Sequence, residues 1–299
     1  MKKIRNVLSL FDGVCCGKLA LERAGIQFDN YYASEIDPVC IEIAEKHHPN
    51  IISLGDVENW RDWDLEDIDL IMGGSPCQGF SCQGQQLNFD DPRSKLFFTM
   101  VEIIEHYQPK YFMLENVGMR KQWQDIITQY MGVEPVHLCS SLVSAQIRKR
   151  IYWANWEITP PKDRNIHLES ILTENDGLKN PASINGRKIN PLTGKREDAN
   201  PNIPYSQCLQ VKKDYSKIGC ITTVGKDTVL TKLPHGRYPH AFDHYEQDVD
   251  WRYLTPLECE RAQTLPDHYT EGYSESTRKT LMGNGWTVDM IASILSCIP

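Results

Sequence analysis

Cys77 lies in a stretch whose residue types favour nucleophilic chemistry. Positions 73–81 read GGSPCQGFS and follow an apolar, strand-like run at 68–72. Pro76 and the glycines allow a tight turn that a flat substrate can approach closely. A cysteine reacts as its thiolate, which neighbouring positive charge and backbone donors favour. Most cysteines in such turns are buried structural residues, so this interpretation depends on partners elsewhere in the chain.

Side chains that could act with a cysteine lie next to two other strand-like runs. The run 111–114 leads to Glu115, and Gln146, Arg148 and Arg150 alternate just before the run 151–154. Alternate residues of an extended strand point to one face, so we expect the last three side chains to face the same ligand. Solvent-exposed basic residues are the alternative explanation.

The first apolar run, 7–11, precedes a glycine-containing turn at 12–17 and a helical pattern at 18–23. This strand, turn and helix order is typical of a nucleotide-binding crossover, but the turn lacks GxGxxG, which disfavours a hydride-transfer enzyme. Glu35 follows the next strand, about 20 residues after the turn, where a carboxylate can accept hydrogen bonds from ribose hydroxyls.

Strands that alternate with helices predict an α/β fold with a doubly wound, mostly parallel sheet. Ligands of such folds bind beyond the carboxyl ends of the strands, where Asp12, Glu35, Cys77 and Glu115 all fall. Helical periodicity is lost between about 157 and 250, and short β-like runs occur at 219–224 and 228–233. We therefore predict a catalytic domain of residues 1–156 plus 251–299 and a smaller, mostly β or irregular domain of residues 157–250.

The composition, 40% hydrophobic and 24% charged, is that of a globular protein. No apolar stretch approaches the roughly 18 residues of a membrane span, and Asp12 interrupts the apolar run near the start, so we expect a cytoplasmic protein without a membrane partner. The ten cysteines include no CxxC pair, so we expect reduced thiols and no metal.

The net charge of -8 hides a basic segment. The segment from Lys179 to Arg237 contains 11 basic and 4 acidic residues, which gives a local charge of +7. The remainder of the chain therefore carries -15. Such a segment suits phosphate binding, although a solvated loop surface is the alternative.

Six short motifs in order resemble the DNA (cytosine-5)-methyltransferase family, most closely the eukaryotic de novo enzymes and their phage or bacterial relatives. The motifs are FDG at 11–13 with Gly17, PCQ at 76–78, ENV at 115–117, QxRxR at 146–150, RxLTPxE at 252–258 and GN at 283–284. The likeness covers residues 7–155 and 252 to the C-terminus. Cys15-Cys16 replace a usual glycine and Gly285-Trp286 replace a usual Ser-Val pair, so the cofactor pocket departs in detail.

The resemblance implies S-adenosylmethionine as methyl donor and a transient bond between Cys77 and carbon 6 of cytosine, which activates carbon 5. Glu115 would assist at ring nitrogen 3 and Arg148 would hold the ring carbonyl oxygen, with Gln146 and Arg150 in support. The implied cofactor-binding residues are Phe11, Asp12, Gly13, Val14, Cys15, Cys16, Gly17, Glu35, Ile36, Asp56, Val57, Glu58, Pro76, Asn284, Gly285 and Trp286.

A cytosine inside a duplex must be flipped out to reach such a pocket, so double-stranded DNA is the expected partner. A restriction endonuclease partner, as part of a restriction-modification pair, is consistent with the resemblance. The alternatives are cytosine-5 methylation of transfer RNA, although the Cys-Phe-Thr triplet of that branch is absent, and a non-catalytic DNA-binding relative.

Overall fold

The computed structural model describes residues 3–75, 92–174, 176–188, 190, 192–193, 197, 199–204, 206–238 and 250–299. The chain forms two compact units. The first unit comprises Met1–Ser140, Lys149–Lys162 and Gly285–Pro299, and the second comprises Ser141–Arg148 and Asp163–Asn284. The second unit thus includes residues 251–284, which the sequence analysis assigns to the catalytic domain. The domain boundaries given above stay a prediction.

The first unit is built on a mostly parallel sheet. Its strands are β1 (Lys3–Leu10), β2 (Gln27–Ser34), β3 (Ile52–Ser53), β4 (Ile68–Gly73), β5 (Tyr111–Val117), β6 (Val136–Cys139) and β7 (Lys149–Ala154). Among the described residues the sheet has seven strands in the order β3-β2-β1-β4-β5-β7-β6. Strand β7 is antiparallel to β5 and to β6, and the other pairs are parallel. The predicted α/β class with a mostly parallel sheet is confirmed.

Four α-helices among the described residues of this unit lie between its strands in the chain, namely α1 (Cys16–Arg23), α2 (Pro38–His47), α3 (Pro92–Tyr107) and α4 (Lys121–Met131). A further helix, α7 (Val288–Leu295), lies near the C-terminus. Helix α2 begins as predicted, because Asp37 accepts a hydrogen bond from the Val39 N–H and Pro38 occupies the first helical position. The core includes Leu8, Ile71, Met100 and Trp153, all fully buried. Burial of these apolar side chains brings strands and helices together.

The described part of the second unit contains an antiparallel sheet and two α-helices. Its elements are β8 (Asn180–Arg187), β9 (Ser206–Val211), β10 (Val229–Thr231), β11 (Gly236–Tyr238), β12 (Trp251–Tyr253), α5 (Pro256–Ala262) and α6 (Glu275–Asn284). The strand order is β11-β9-β8-β10-β12. The β-like run predicted at 219–224 is wrong, because this segment is irregular. Instead, backbone groups at 220–222 accept hydrogen bonds from side chains such as Arg148 and Thr228.

Two expectations concern absences. Within the part of the chain that the structure describes, no helix is long and apolar enough to cross a membrane. No cluster of three or more histidine, cysteine, aspartate or glutamate side chains able to hold a metal ion occurs in the same residues.

Candidate active site

Glu115 lies in β5, next to the end of β4, and its carboxyl group has two donors in the first unit. Arg150 Nε lies 2.9 Å from Oε1, and the Trp286 indole N–H donates to Oε2 at 3.1 Å. Glu115 is only 8% exposed. In the antiparallel β5–β7 ladder, Arg150 is opposite Val117, two residues along from Glu115, which places both side chains on one face. Strand pairing therefore creates this ion pair.

The prediction that Gln146, Arg148 and Arg150 share one extended strand is wrong. Strand β7 begins at Lys149, and Gln146 forms only an isolated bridge with Ile218. Gln146 and Arg148 belong to the second unit, whereas Arg150 belongs to the first. The alternation of side chains therefore does not extend across the three residues.

Gln146 and Arg148 are buried among backbone groups of the second unit. The Gln146 amide donates to the Ala262 carbonyl at 2.6 Å and to Gln263 Oε1 at 2.8 Å. The Arg148 guanidinium donates to the carbonyl of Ile221 at 2.8 Å and to that of Gly283 at 3.1 Å. Contacts of this kind fix the backbone of the loop at 221 and the end of α6. The catalytic roles of both residues stay predictions.

Asp12 follows β1 and is 8% exposed. Its Oδ1 accepts hydrogen bonds from Ser9 Oγ at 2.5 Å and from the Tyr31 hydroxyl at 2.6 Å, while Oδ2 has no partner among the described residues. Burial raises the pKa of Asp12 from 3.8 to about 6, although hydrogen bonds with the side chains of Ser9, Tyr31 and Cys15 oppose this change. A buried carboxyl oxygen without a partner is suited to a polar or cationic ligand group.

The turn after β1 is joined to the end of β2 through Glu35. Glu35 Oε2 accepts a hydrogen bond from the Gly13 N–H at 2.8 Å, and Oε1 accepts from the N–H groups of Ile36 and Asp37 at 2.8 and 2.9 Å. Ile36, beside it, is 70% exposed, which is unusual for a large aliphatic side chain. A fixed carboxylate next to an exposed apolar surface suits a nucleoside, with hydroxyls on one side and a flat base on the other.

The remaining predicted cofactor residues of the first unit have structural contacts. Asp56 caps a short 3-10 helix by accepting from the Glu58 N–H at 2.9 Å, Val57 is buried, and Glu58 pairs with Lys95 at 2.6 Å. A Cβ at Gly17 would lie 2.5 Å from Met72 Cε. Gly17 therefore lets α1 lie close to the sheet.

Phe11, Val14, Cys15 and Cys16 form the rest of the turn. Phe11 is half-buried and the other three are buried. Burial raises the pKa of the Cys15 thiol well above its usual range, so this thiol is inert as a nucleophile. Cys15 therefore fills space beneath the turn.

Three predicted residues near the C-terminus divide between the units. Asn284 ends α6 in the second unit, whereas Gly285 and Trp286 belong to the first. The predicted nucleophile Cys77 and its neighbour Pro76 lie outside the described residues, so their roles stay predictions.

Sequence reasoning missed Ser9 and Tyr31 as parts of this region, and it placed Gly74 in the turn before Cys77 without predicting that it lies beside Glu115 and Trp286. Ser9 and Tyr31 hold Asp12, and a Cβ at Gly74 would lie 2.9 Å from Trp286 Nε1 and 3.0 Å from Glu115 Oε2. A signal existed for Tyr31, since it lies on the buried face of a strand beside β1, where a hydroxyl needs a partner.

Comparison with known proteins identifies the family of this chain. The model of the C-5 cytosine-specific DNA methylase family matches residues 5–129 and 143–299. The type II methyltransferase M.NgoBV of Neisseria gonorrhoeae is 29% identical over 307 residues, which cover 90% of this chain and 69% of that protein. The orphan methyltransferase M.SPRI of Bacillus phage SPR is 39% identical over 119 residues, covering 39% of this chain and 27% of that protein.

Solved structures share the fold. The Dnmt2 methyltransferase of S. pombe superposes with a TM-score of 0.64 at 18% identity, covering 98% of this chain and 97% of that one. A putative DNA modification methyltransferase from an E. coli prophage gives 0.62 at 19% identity, covering 97% and 98%. Because the family model spans nearly the whole sequence, this chain belongs to the C-5 cytosine-specific DNA methylase family, as its motifs predicted, and its enzyme class is DNA (cytosine-5)-methyltransferase.

Proposed function

We propose that this protein transfers a methyl group from S-adenosylmethionine to carbon 5 of a flipped-out cytosine in double-stranded DNA, through a covalent bond between Cys77 and carbon 6. The observation that carries the proposal is the Glu115 carboxyl group, buried at the ends of β4 and β5 and held by Arg150 and Trp286. Cys77 follows the end of β4 by four residues, so the motif order and the fold support a shared site.

The chemistry follows from the residue types. Carbon 5 of cytosine is a poor nucleophile until the Cys77 thiolate adds to carbon 6 and converts the ring to an enamine. Glu115, in its protonated form, would donate a hydrogen bond to ring nitrogen 3 as negative charge develops there. After methyl transfer, the carbon 5 proton passes to solvent water, the bond between Cys77 and carbon 6 breaks to release the thiolate, and the aromatic ring is restored. Arg150, already 2.9 Å from Glu115 Oε1, is the arginine that the contacts of the first unit favour for orienting this carboxyl group.

Residues at the ends of β1 and β2 fit S-adenosylmethionine. Glu35 retains acceptor capacity for ribose hydroxyls, the exposed Ile36 offers an apolar surface for adenine, and Asp12 Oδ2 is a buried oxygen without a partner among the described residues. When bound, this cofactor supplies an electrophilic methyl group on a sulfonium. The described residues of 11–17, together with Glu35, Ile36, Asp56 and Val57, would hold and orient it.

The positive charge of the segment 179–237 suits DNA binding, but some of its lysines have structural contacts or are largely buried. Lys217 Nζ donates to the carbonyls of Ser141, Ser144 and Ile166 at 2.7 to 3.0 Å, which is a structural contact. Burial lowers the pKa of Lys212. Among the basic side chains that the structure describes in this segment, Lys179, Lys213, Lys226, Lys232 and Arg237 are exposed, and Lys232 pairs with Asp250 at 2.8 Å. We propose that Lys179, Lys213, Lys226 and Arg237 contact phosphates.

The names of the relatives bear on whether a restriction endonuclease acts together with this protein. The type II methyltransferase name of the Neisseria relatives supports the proposal of a restriction endonuclease with the same recognition sequence. The orphan methyltransferase name of the phage relatives supports a role without one.

The test is transfer of tritium-labelled methyl groups to unmethylated duplex DNA and, in parallel, to total transfer RNA. Label at carbon 5 of cytosine in DNA supports the proposal, whereas label only in RNA contradicts it. Cys77→Ser should abolish transfer and retain cofactor binding, while Cys297→Ser, at a half-buried thiol near the C-terminus, should retain activity. A DNA duplex with 5-fluorocytosine at the target should trap a covalent adduct with the wild type and none with Cys77→Ser. Turnover by Cys77→Ser would refute the assignment of the nucleophile.

A further inference from the structure

The Glu115 carboxyl group has a donor on each oxygen, and the two donors differ in chemistry and origin. Arg150 comes from the neighbouring strand and contacts Oε1, whereas Trp286 contacts Oε2 from 171 positions away in the sequence. Arginine also balances the charge of the carboxylate, whereas an indole N–H is neutral and can only donate. The indole therefore contributes direction rather than charge.

Trp286 is held by a well-anchored helix. It comes two residues before α7, whose buried side chains include Val288, Met290 and Ile291. Arg23 of α1 pairs with Asp289 at 2.5 Å, which joins the start of α7 to the helix that follows β1. The backbone that carries the indole is thus anchored to α1.

Gly74 makes the close approach possible. A Cβ at this position would lie 2.9 Å from Trp286 Nε1, closer than real Cβ contacts, and 3.0 Å from Glu115 Oε2, which is also tight, so one of these side chains would have to shift. Gly74 follows β4, and β4 pairs with β5 so that Gly73 is opposite Leu114, the residue before Glu115. Any side chain at position 74 would separate the indole from the carboxyl group.

We propose that Trp286 is a positioning residue for Glu115. Its N–H fixes Oε2, Arg150 fixes Oε1, and the plane of the carboxyl group is then set for hydrogen bonding to the cytosine ring. Gly74 is the small residue that this arrangement requires. The inference rests on the proposed function, and it adds to Trp286 a role distinct from the cofactor contact that the sequence predicts.

The first test is Trp286→Phe, which keeps an aromatic ring and removes the N–H. Loss of a hydrogen bond to a carboxylate should lower kcat for DNA methylation by about 10- to 100-fold. The KM for S-adenosylmethionine and the Kd for S-adenosylhomocysteine should change by less than about twofold, because the indole acts on Glu115. The matched control is Trp153→Phe, which removes an indole N–H that donates to Thr128 Oγ1 at 2.9 Å and should leave kcat unchanged. A raised KM for the cofactor with normal kcat would overturn the proposal.

A second variant tests the same bond without removing any polar group. Gly74→Ala places a methyl group between the indole and the carboxyl group and should lower kcat to a similar extent. In a Glu115→Gln background, measured by single-turnover methylation, Trp286→Phe should have less than a twofold effect, since the two residues act as one unit. A full effect in that background would show that the indole does not act through Glu115.

A spectroscopic measurement is independent of activity. With ¹⁵N-labelled tryptophan, the Nε1–H signal of Trp286 is identified by its loss in Trp286→Phe. Glu115→Gln and Gly74→Ala should each shift this signal upfield, as expected for a weakened hydrogen bond, while the Trp153 signal stays in place. An unshifted Trp286 signal would overturn the inference. If the variants give this shift pattern but the wild-type protein methylates no DNA, the proposed function alone is refuted.

Discussion

Asp12→Asn should change the stability of the ligand-free protein in a pH-dependent way. Asp12 is buried, and burial raises its pKa from 3.8 to about 6. The folded state therefore binds the Asp12 proton more tightly than the unfolded state does. This contribution to stability is present below pH 3.8 and is lost as the pH rises through about 6. Asp12→Asn has no titratable group at this position, so its unfolding free energy should lack this dependence on pH.

The size of the effect follows from the pKa difference. A change from 3.8 to about 6 corresponds to about 3 kcal/mol, at about 1.4 kcal/mol for each tenfold change in proton affinity. Between pH 5 and pH 8 the linkage relation assigns about 1.4 kcal/mol of this total. The unfolding free energy of the wild type should therefore fall by this amount relative to that of Asp12→Asn over the same interval.

The assay is urea unfolding of both proteins at several pH values, followed by tryptophan fluorescence. An asparagine Nδ2 in place of Oδ2 would be a buried donor without a partner among the described residues, and this cost is the same at every pH. The pH dependence of the difference, rather than its value at one pH, therefore reports the carboxyl group. Asp62→Asn, at an exposed position of the same unit, controls for loss of a surface carboxylate. A difference between wild type and Asp12→Asn that stays constant within about 0.5 kcal/mol would refute the reasoning.

Two further predictions concern the second unit. Lys217→Met should lower its stability by about 1 to 3 kcal/mol, because three carbonyls lose a charged donor. Lys213→Met, at an exposed lysine, should change it by less than about 0.5 kcal/mol in the same urea titration. The double change Lys213→Gln and Arg237→Gln should weaken DNA binding and reduce the slope of log K against log salt by about 2. Lys110→Gln in the first unit should leave the slope unchanged, and an unaltered slope in the double variant would place the DNA elsewhere.

Much of the first unit could be predicted because its sequence patterns are local. The apolar runs at 7–11, 31–34, 68–72 and 111–114 correspond to β1, β2, β4 and β5. Parallel strands buried on both faces require continuous apolar residues, which makes them easy to recognise. Asp12 and Glu35 follow β1 and β2, and Glu115 lies in β5 near its carboxyl end, so their positions at the strand ends could be predicted for the same reason.

The missed features depend on contacts that are distant in sequence. The β7 strand begins at Lys149 because Gln146 and Arg148 bind backbone groups at 221, 262 and 283. No periodicity within 146–150 contains that information. The basic segment shows the same limit. Its charge suggests that Lys217 contacts phosphate, but the half-buried Lys217 ammonium group donates to backbone carbonyls instead.

The turn after β1 combines several features that are unfavourable for the ligand-free protein. Phe11 and Cys15 have positive φ angles of 57° and 64°, a region that non-glycine residues enter at a cost. Asp12 between them is a buried carboxyl group, and its Oδ2 has no hydrogen-bond partner among the described residues. Such costs persist only where the surrounding structure holds them, and they are typical of ligand sites. A cationic ligand at Asp12 Oδ2 would favour the carboxylate and compensate its burial. Asp12→Asn should therefore weaken S-adenosylmethionine binding, and isothermal titration calorimetry showing equal affinity would contradict a cofactor role for this oxygen.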